Sequence, residues 1–168
     1  LRLSRGLGDV YKRQIKIFMG SSTGDLLVHE QSDLENIFSN TGGIIAVHAE
    51  DEQRLQDRFE HYKHRTDIAA HAEYRDSETA MIATKRAVSL AEDHDHRLHI
   101  VHLTSAEEAD WLATKKGRLI TTEVCVQHLT FDDKDMETLG TRGLVNPPIR
   151  YEEDKDCLLY TSDAADDG

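Results

Sequence analysis

The sequence predicts an α/β fold built on a parallel sheet. Two observations carry that expectation. Short β-branched runs alternate with helical stretches in the order β-α-β-α-α-β-α-β, and such alternation implies right-handed βαβ units. Three runs also carry an ionisable residue among apolar ones, at or near their ends: Lys16 in IKIFM, His48 in IIAVHAED and His102 in LHIVHLTS. The C-terminal ends of parallel strands are where such folds build their sites. Three architectures satisfy the pattern: a doubly wound sheet, a small flavodoxin-like domain, or a piece of a (β/α)8 barrel. No G-x-G-x-x-G follows a strand and no P-loop is present, which weighs against the nucleotide-binding versions.

Each element has a local reason. Ile15–Met19 reads as a strand closed by the loop signal Gly20-Ser21-Ser22-Thr23-Gly24. Ser32-Asp33-Leu34-Glu35 has the form of a capping box and predicts a helix from about Asp33 to Asn40, ended by Gly42-Gly43. Gly43 to Ala49 predicts a buried strand. Glu50 to about His64 predicts a charged helix with Leu55, Phe59 and Tyr62 on one face. Arg75 to about His94 predicts a long amphipathic helix, because Ala80, Ile82, Ala83, Ala87, Val88 and Leu90 fit a helical period better than alternation. Leu98–Leu103 predicts a strand, Ala106–Lys116 a helix stopped by Gly117, and Arg118 to Thr130 a segment that begins as a β-branched strand.

Composition bounds the function. The chain has 168 residues and a formal net charge of −12, which argues against nucleic acid or an anionic membrane as main partner. No apolar run is long enough to suggest a transmembrane helix, and no signal peptide is evident, so a cytoplasmic location is expected. Two cysteines do not make a disulfide framework.

The two ends read as foreign. Back-translating Asp9–Gln14 (DVYKRQ) and reading the complementary strand one base in yields codons for Cys157–Ser162 (CLLYTS). This resembles a transposon-end adapter of the kind used in sequencing libraries, translated in frame. The expected organisation is therefore 1–14 adapter-derived, 15–156 native and 157–168 adapter-derived. Cys125 is then the one native cysteine, and the charge of −12 is unchanged.

A lone strand-end histidine is more often structural than a ligand, and a strand lysine is more often a solvated edge residue. Three such residues on successive strands of one sheet favour a site. Neutral imidazoles suit zinc. By side-chain alternation Ile44, Ala46 and His48 share a face, as do Ile100 and His102, with His99 opposite. A lysine desolvated among Ile15, Ile17 and Phe18 would have a lowered pKa. Its neutral amine could add carbon dioxide, and the resulting carbamate could bridge two metals. The acidic run Glu50-Asp51-Glu52 reads as a favourable helix start. His61, His64, His71, His94 and His96 read as solvated surface. Cys125 reads as a buried strand residue, and Trp111 and Phe59 as core anchors.

At KIFMGSSTGDLLV, IAVHAEDE, HIVHLTSAEEA, TTEVCVQHLTF and GLVNPPIR the chain resembles the dihydroorotases, in the cyclic amidohydrolase branch of the metal-dependent amidohydrolase superfamily. The resemblance spans nearly all of Ile15–Asp156. It implies a partial (β/α)8 barrel, about strands four to seven, and two zinc ions per site. In that pattern Lys16 matches the carboxylated lysine bridging the zinc ions, and His48 and His102 match the histidines on the second zinc. Asn146, in NPP, matches a position lining the pyrimidine site, and RDSETAMIAT from Arg75 matches a common helix start. His128, where many relatives have a different local sequence, is at most a pocket-wall residue.

The implied reaction is reversible cyclisation of N-carbamoyl-aspartate to dihydroorotate in pyrimidine synthesis, with a small-molecule substrate. Homo-oligomerisation is left open. The family's first-strand H-x-H with its substrate arginine, and its eighth-strand D-H-A-P-H with the catalytic aspartate, lie outside these residues. The fragment alone is therefore expected to be inactive. The competing expectations are another cyclic amidohydrolase, such as a dihydropyrimidinase or allantoinase, and a non-catalytic scaffold homologue.

Overall fold

Four strands form one parallel sheet in sequential order: β1 (Gln14–Phe18), β2 (Ile44–His48), β3 (Arg97–Ile100) and β4 (Ile120–Thr122). This computed structural model describes residues 14–21, 25–115 and 119–166. The expected adapter segment up to residue 13, part of the loop at 22–24 and the helix stop at Gly117 lie outside the described residues. The register sets Lys16 beside Ala46, Ala46 beside His99, and His99 beside Thr121. Since side chains alternate, the sheet has two unlike faces. One carries Ile15, Ile17, Ile45, Val47, Leu98 and Ile100, and the last five of these are at most 2% exposed. The other carries Gln14, Lys16, Phe18, Ala46, His48, His99 and Thr121.

Helices pack on the apolar face. Between the strands run α1 (Gln31–Asn40), α2 (Glu52–Tyr62), α3 (Ala69–Tyr74), α4 (Ser77–Asp93) and α5 (Ala106–Ala113). After β4 come α6 (Val126–Thr130), α7 (Met136–Leu139) and α8 (Glu152–Asp166). Leu34 and Phe38 of α1, Ala83, Ala87, Val88 and Ala91 of α4, and Ala109 and Leu112 of α5 meet the strands in one core. The alanines of α4 let that helix lie close to the sheet. Helix α8 runs through the expected native boundary at Asp156, and its Leu158 is 1% exposed in the same core. No helix among the described residues is long and apolar enough to cross a membrane.

Several local expectations change. Ser32 does not cap α1: the helix starts at Gln31, and the side chain of Glu30 at the cap position accepts no hydrogen bond. Its start is fixed from outside, by Arg86, which donates to His29 O and Gln31 Oε1. The S-x-x-E that does cap is Ser105…Glu108, where Ser105 Oγ accepts from Glu108 N and donates to Glu108 Oε2. β4 is three residues long, and the chain turns into α6 behind Cys125, which sits at the helix's first flanking position instead of in a strand. Phe59 is 49% exposed rather than a core anchor, while Trp111 packs partly buried against the core. His96 is buried, bonded to Thr41 O and Arg97 O and set edge-on to Phe38.

Asp76 caps α4 by accepting from Thr79 N and Thr79 Oγ1, and it also takes Arg54 Nε and Nη2. Partial burial alone would raise its pKa, but these donors outweigh it and hold the carboxyl at about 2. A depressed acid stabilises the fold above its unfolded pKa, and the contribution is lost as pH falls through the folded value. Asp76→Asn should therefore be less stable than the parent at neutral pH by on the order of 2 kcal/mol. Urea titrations should show that gap closing between about pH 4 and pH 2. A gap independent of pH would refute the assignment.

Candidate metal centre

His48 is the last residue of β2 and is 3% exposed. His102 lies two residues beyond the end of β3, with φ +45°. That left-handed turn overrides strand alternation. Alternation places His102 with Ile100 on the helix-covered face; the turn instead brings its ring to His48. His48 Nδ1 and His102 Nε2 are 3.0 Å apart, with ring centroids 4.6 Å apart and nearly perpendicular planes. Left-handed φ at a non-glycine residue is uncommon and accumulates at functional sites.

The other nitrogen of His48 is fixed from behind. His48 Nε2 lies 2.6 Å from Glu50 Oε2. Glu50 is fully buried, and Arg75 grips the same carboxylate through Nε at 3.1 Å and through Nη2. Burial would raise the pKa of Glu50, but the bonds and charges of His48 and Arg75 reverse that and hold it low. An ionised carboxylate only accepts, so His48 Nε2 carries a proton, and Nδ1 is the nitrogen that faces His102. The pKa of His102 is pushed down to about 3, chiefly by burial, with His48 and Lys16 adding to it. Its Nδ1 is buried without a hydrogen-bond partner. Two imidazoles whose ring nitrogens face each other, one backed by a carboxylate, fit a zinc ion. The carboxylate–histidine arrangement is the usual support of such ligands.

The other expected residues stand apart. Lys16 is on the same sheet face as His48, but it is exposed and its ammonium lies 4.9 Å over the Phe18 ring. The desolvation expected among Ile15, Ile17 and Phe18 does not arise, because Ile15 and Ile17 point to the other face. Asn146 is exposed at the same end of the sheet, donating from Nδ2 to Ser21 Oγ at 3.0 Å, and makes no bond to either histidine. His71 is not solvated surface: its Nε2 binds Val145 O at 2.9 Å, and burial lowers its pKa. His128 is buried against Pro147 O. Among the described residues, no three His, Cys, Asp or Glu side chains converge as a metal-binding group.

Sequence reasoning missed Glu50 and Arg75 as parts of this site. Asp51 caps α2 and Glu52 sits in its first turn, as a helix-start reading expects. Glu50 belongs with His48 instead. Their i, i+2 spacing at a strand end was the available signal.

No family model matches the chain. Curated relatives do. The chain is 31% identical over 146 residues to the dihydroorotase of Halobacterium salinarum, covering 86% of this chain and 33% of that protein. It is 30% identical to the dihydroorotase of Thermococcus kodakarensis over 92% of the chain and 32% of the relative. An allantoinase of Bacillus velezensis matches at 30% over 70% of the chain and 27% of the relative. Among solved structures, the L-hydantoinase (dihydropyrimidinase) of Arthrobacter aurescens superposes with TM-score 0.79 at 26% identity, covering 85% of this chain and 34% of that one. The chain thus spans about a third of the length of these relatives.

Proposed function

We propose that this chain, a homologue of the cyclic amidohydrolases, is part of a zinc-dependent dihydroorotase. In this reading residues 15–156 form about strands four to seven of a (β/α)8 barrel, with adapter-derived segments at 1–14 and 157–168. The parent enzyme cyclises N-carbamoyl-aspartate to dihydroorotate, reversibly, in cytoplasmic pyrimidine synthesis. The observation that carries the reading is the His48–His102 pair at the C-terminal end of a parallel sheet, in a chain whose matched relatives include dihydroorotases.

When bound, zinc supplies Lewis-acid activation of water and of a ring amide carbonyl. His48 and His102 would hold it through their facing ring nitrogens. Glu50 holds the His48 proton on the far nitrogen. Lys16, on the same face, would hold zinc as a carbamate formed with carbon dioxide, and Asn146 would line the pyrimidine site. A second reading, a dihydropyrimidinase or allantoinase, is favoured by the hydantoinase superposition and the allantoinase match.

Full-length enzyme from the parent gene should turn over dihydroorotate in preference to dihydrouracil, hydantoin and allantoin. Preference for a neutral ring would move the assignment to the second reading. The chain by itself should show no zinc-dependent turnover. It should still bind zinc in a chelator competition, and His48→Ala or His102→Ala should abolish that binding. Equal binding by the parent and both variants would remove the pair from the site.

A further inference from the structure

We propose that Arg150 is a positioning residue for the histidine pair: one buried guanidinium ties the loop carrying His102 to the backbone carrying Arg75, and so holds His102 and His48 in register. The inference rests on reading that pair as a cation site.

Arg150 is 6% exposed. Its Nε donates to Thr104 Oγ1 at 2.9 Å and its Nη1 to Arg75 O at 2.9 Å, with a longer contact from Nη2 to Asp76 O at 3.4 Å. Thr104 is two residues beyond His102, in the stretch that follows the left-handed turn, and is itself 2% exposed. Arg75 is the residue whose side chain grips Glu50, and Glu50 accepts from His48. Two short paths therefore leave Arg150. One reaches His102 through Thr104, and the other reaches His48 through Arg75 and Glu50. They meet again where the rings face each other at 3.0 Å. The result is a closed ring of contacts in which neither histidine can drift alone. Asp154 adds an anchor nearby, accepting from Ala106 N at 2.8 Å just past that loop.

The partners of Arg150 argue for geometry over stability. All three are neutral oxygens, and among the described residues no ion pair of Arg150 is found. Burying a guanidinium with no salt-bridge partner is costly, and a well-packed apolar residue would fill the space more cheaply. What arginine supplies there is a rigid fork of donors able to span separate acceptors, which a lysine ammonium does not reproduce.

The test uses the whole chain with two variants, Arg150→Lys and Thr104→Val. Thr84→Val serves as control, because Thr84 is an equally buried threonine whose hydroxyl donates to Glu108 instead. The readouts are the ring nitrogen NMR signals of His48 and His102 without metal, and zinc affinity by chelator competition. Both variants should shift the His102 ring signals and weaken zinc about 10- to 100-fold, as loss of an outer support does, whereas the control should do neither. If Arg150→Lys does not fold, Thr104→Val decides alone. A folded Thr104→Val with parental ring signals and parental zinc affinity overturns the proposal. If the parent chain binds no zinc, the cation reading fails by itself. The metal-free ring signals then judge Arg150: shifted signals keep the tie, and unshifted signals discard it.

Discussion

Glu50→Ala should destabilise the chain by about 3–5 kcal/mol, the usual cost of removing one partner of a buried ion pair. Glu50 is fully buried and Arg75 is 4% exposed, so the variant strands a guanidinium away from water. It also frees His48 Nε2 and removes the support behind the ring that faces His102. Glu50→Gln keeps the volume and one acceptor, and should cost less. Urea unfolding of the three chains measures both. A loss below about 1 kcal/mol for Glu50→Ala, the range of exposed pairs, would mean that Arg75 finds water or another acceptor.

Gly20→Ala is expected to cost roughly 3 kcal/mol, at the upper end of what overpacking does. A Cβ at position 20 would lie 2.3 Å from the backbone oxygen of Glu50 and 2.9 Å from its carbonyl carbon. Neither atom belongs to a flexible side chain that can swing aside. The chain leaving β1 must move away from the segment leaving β2, and that second segment carries both His48 and Glu50. Stability and zinc affinity should therefore fall together. A variant that loses stability but binds zinc as tightly as the parent would show that the strain dissipates before reaching His48.

Periodicity made the sheet and the long helices legible. The alternation of β1 and the 3.6-residue spacing of the apolar positions in α4 are local properties, and burial follows from them directly. The clustering of His48 and His102 on one site was legible as residue choice but not as geometry. Strand alternation put His102 on the wrong face, because its φ of +45° breaks strand geometry just beyond β3. Glu50 was misread because its partner Arg75 is 25 residues away, and the helix-start explanation of an acidic run is locally sufficient. Arg150, 46 residues from Thr104 and 75 from Arg75, leaves no local trace at all. His71 and His96 were lost the same way, since their backbone partners Val145 and Thr41 are remote.

The two unlike faces of the sheet have a consequence for folding fidelity. In β1, apolar Ile15 and Ile17 alternate with Gln14 and Lys16, and pairing Lys16 with Ala46 sets Ile15 and Ile17 inward beside Ile45 and Val47. A slip of one residue would carry the Lys16 ammonium into the dry side and turn Ile17 out to water. The misaligned strand is rejected by the cost of burying that charge. Lys16 thus acts as a proofreading device for strand alignment, and the position assigned to chemistry also protects the chain from assembling one step out of phase.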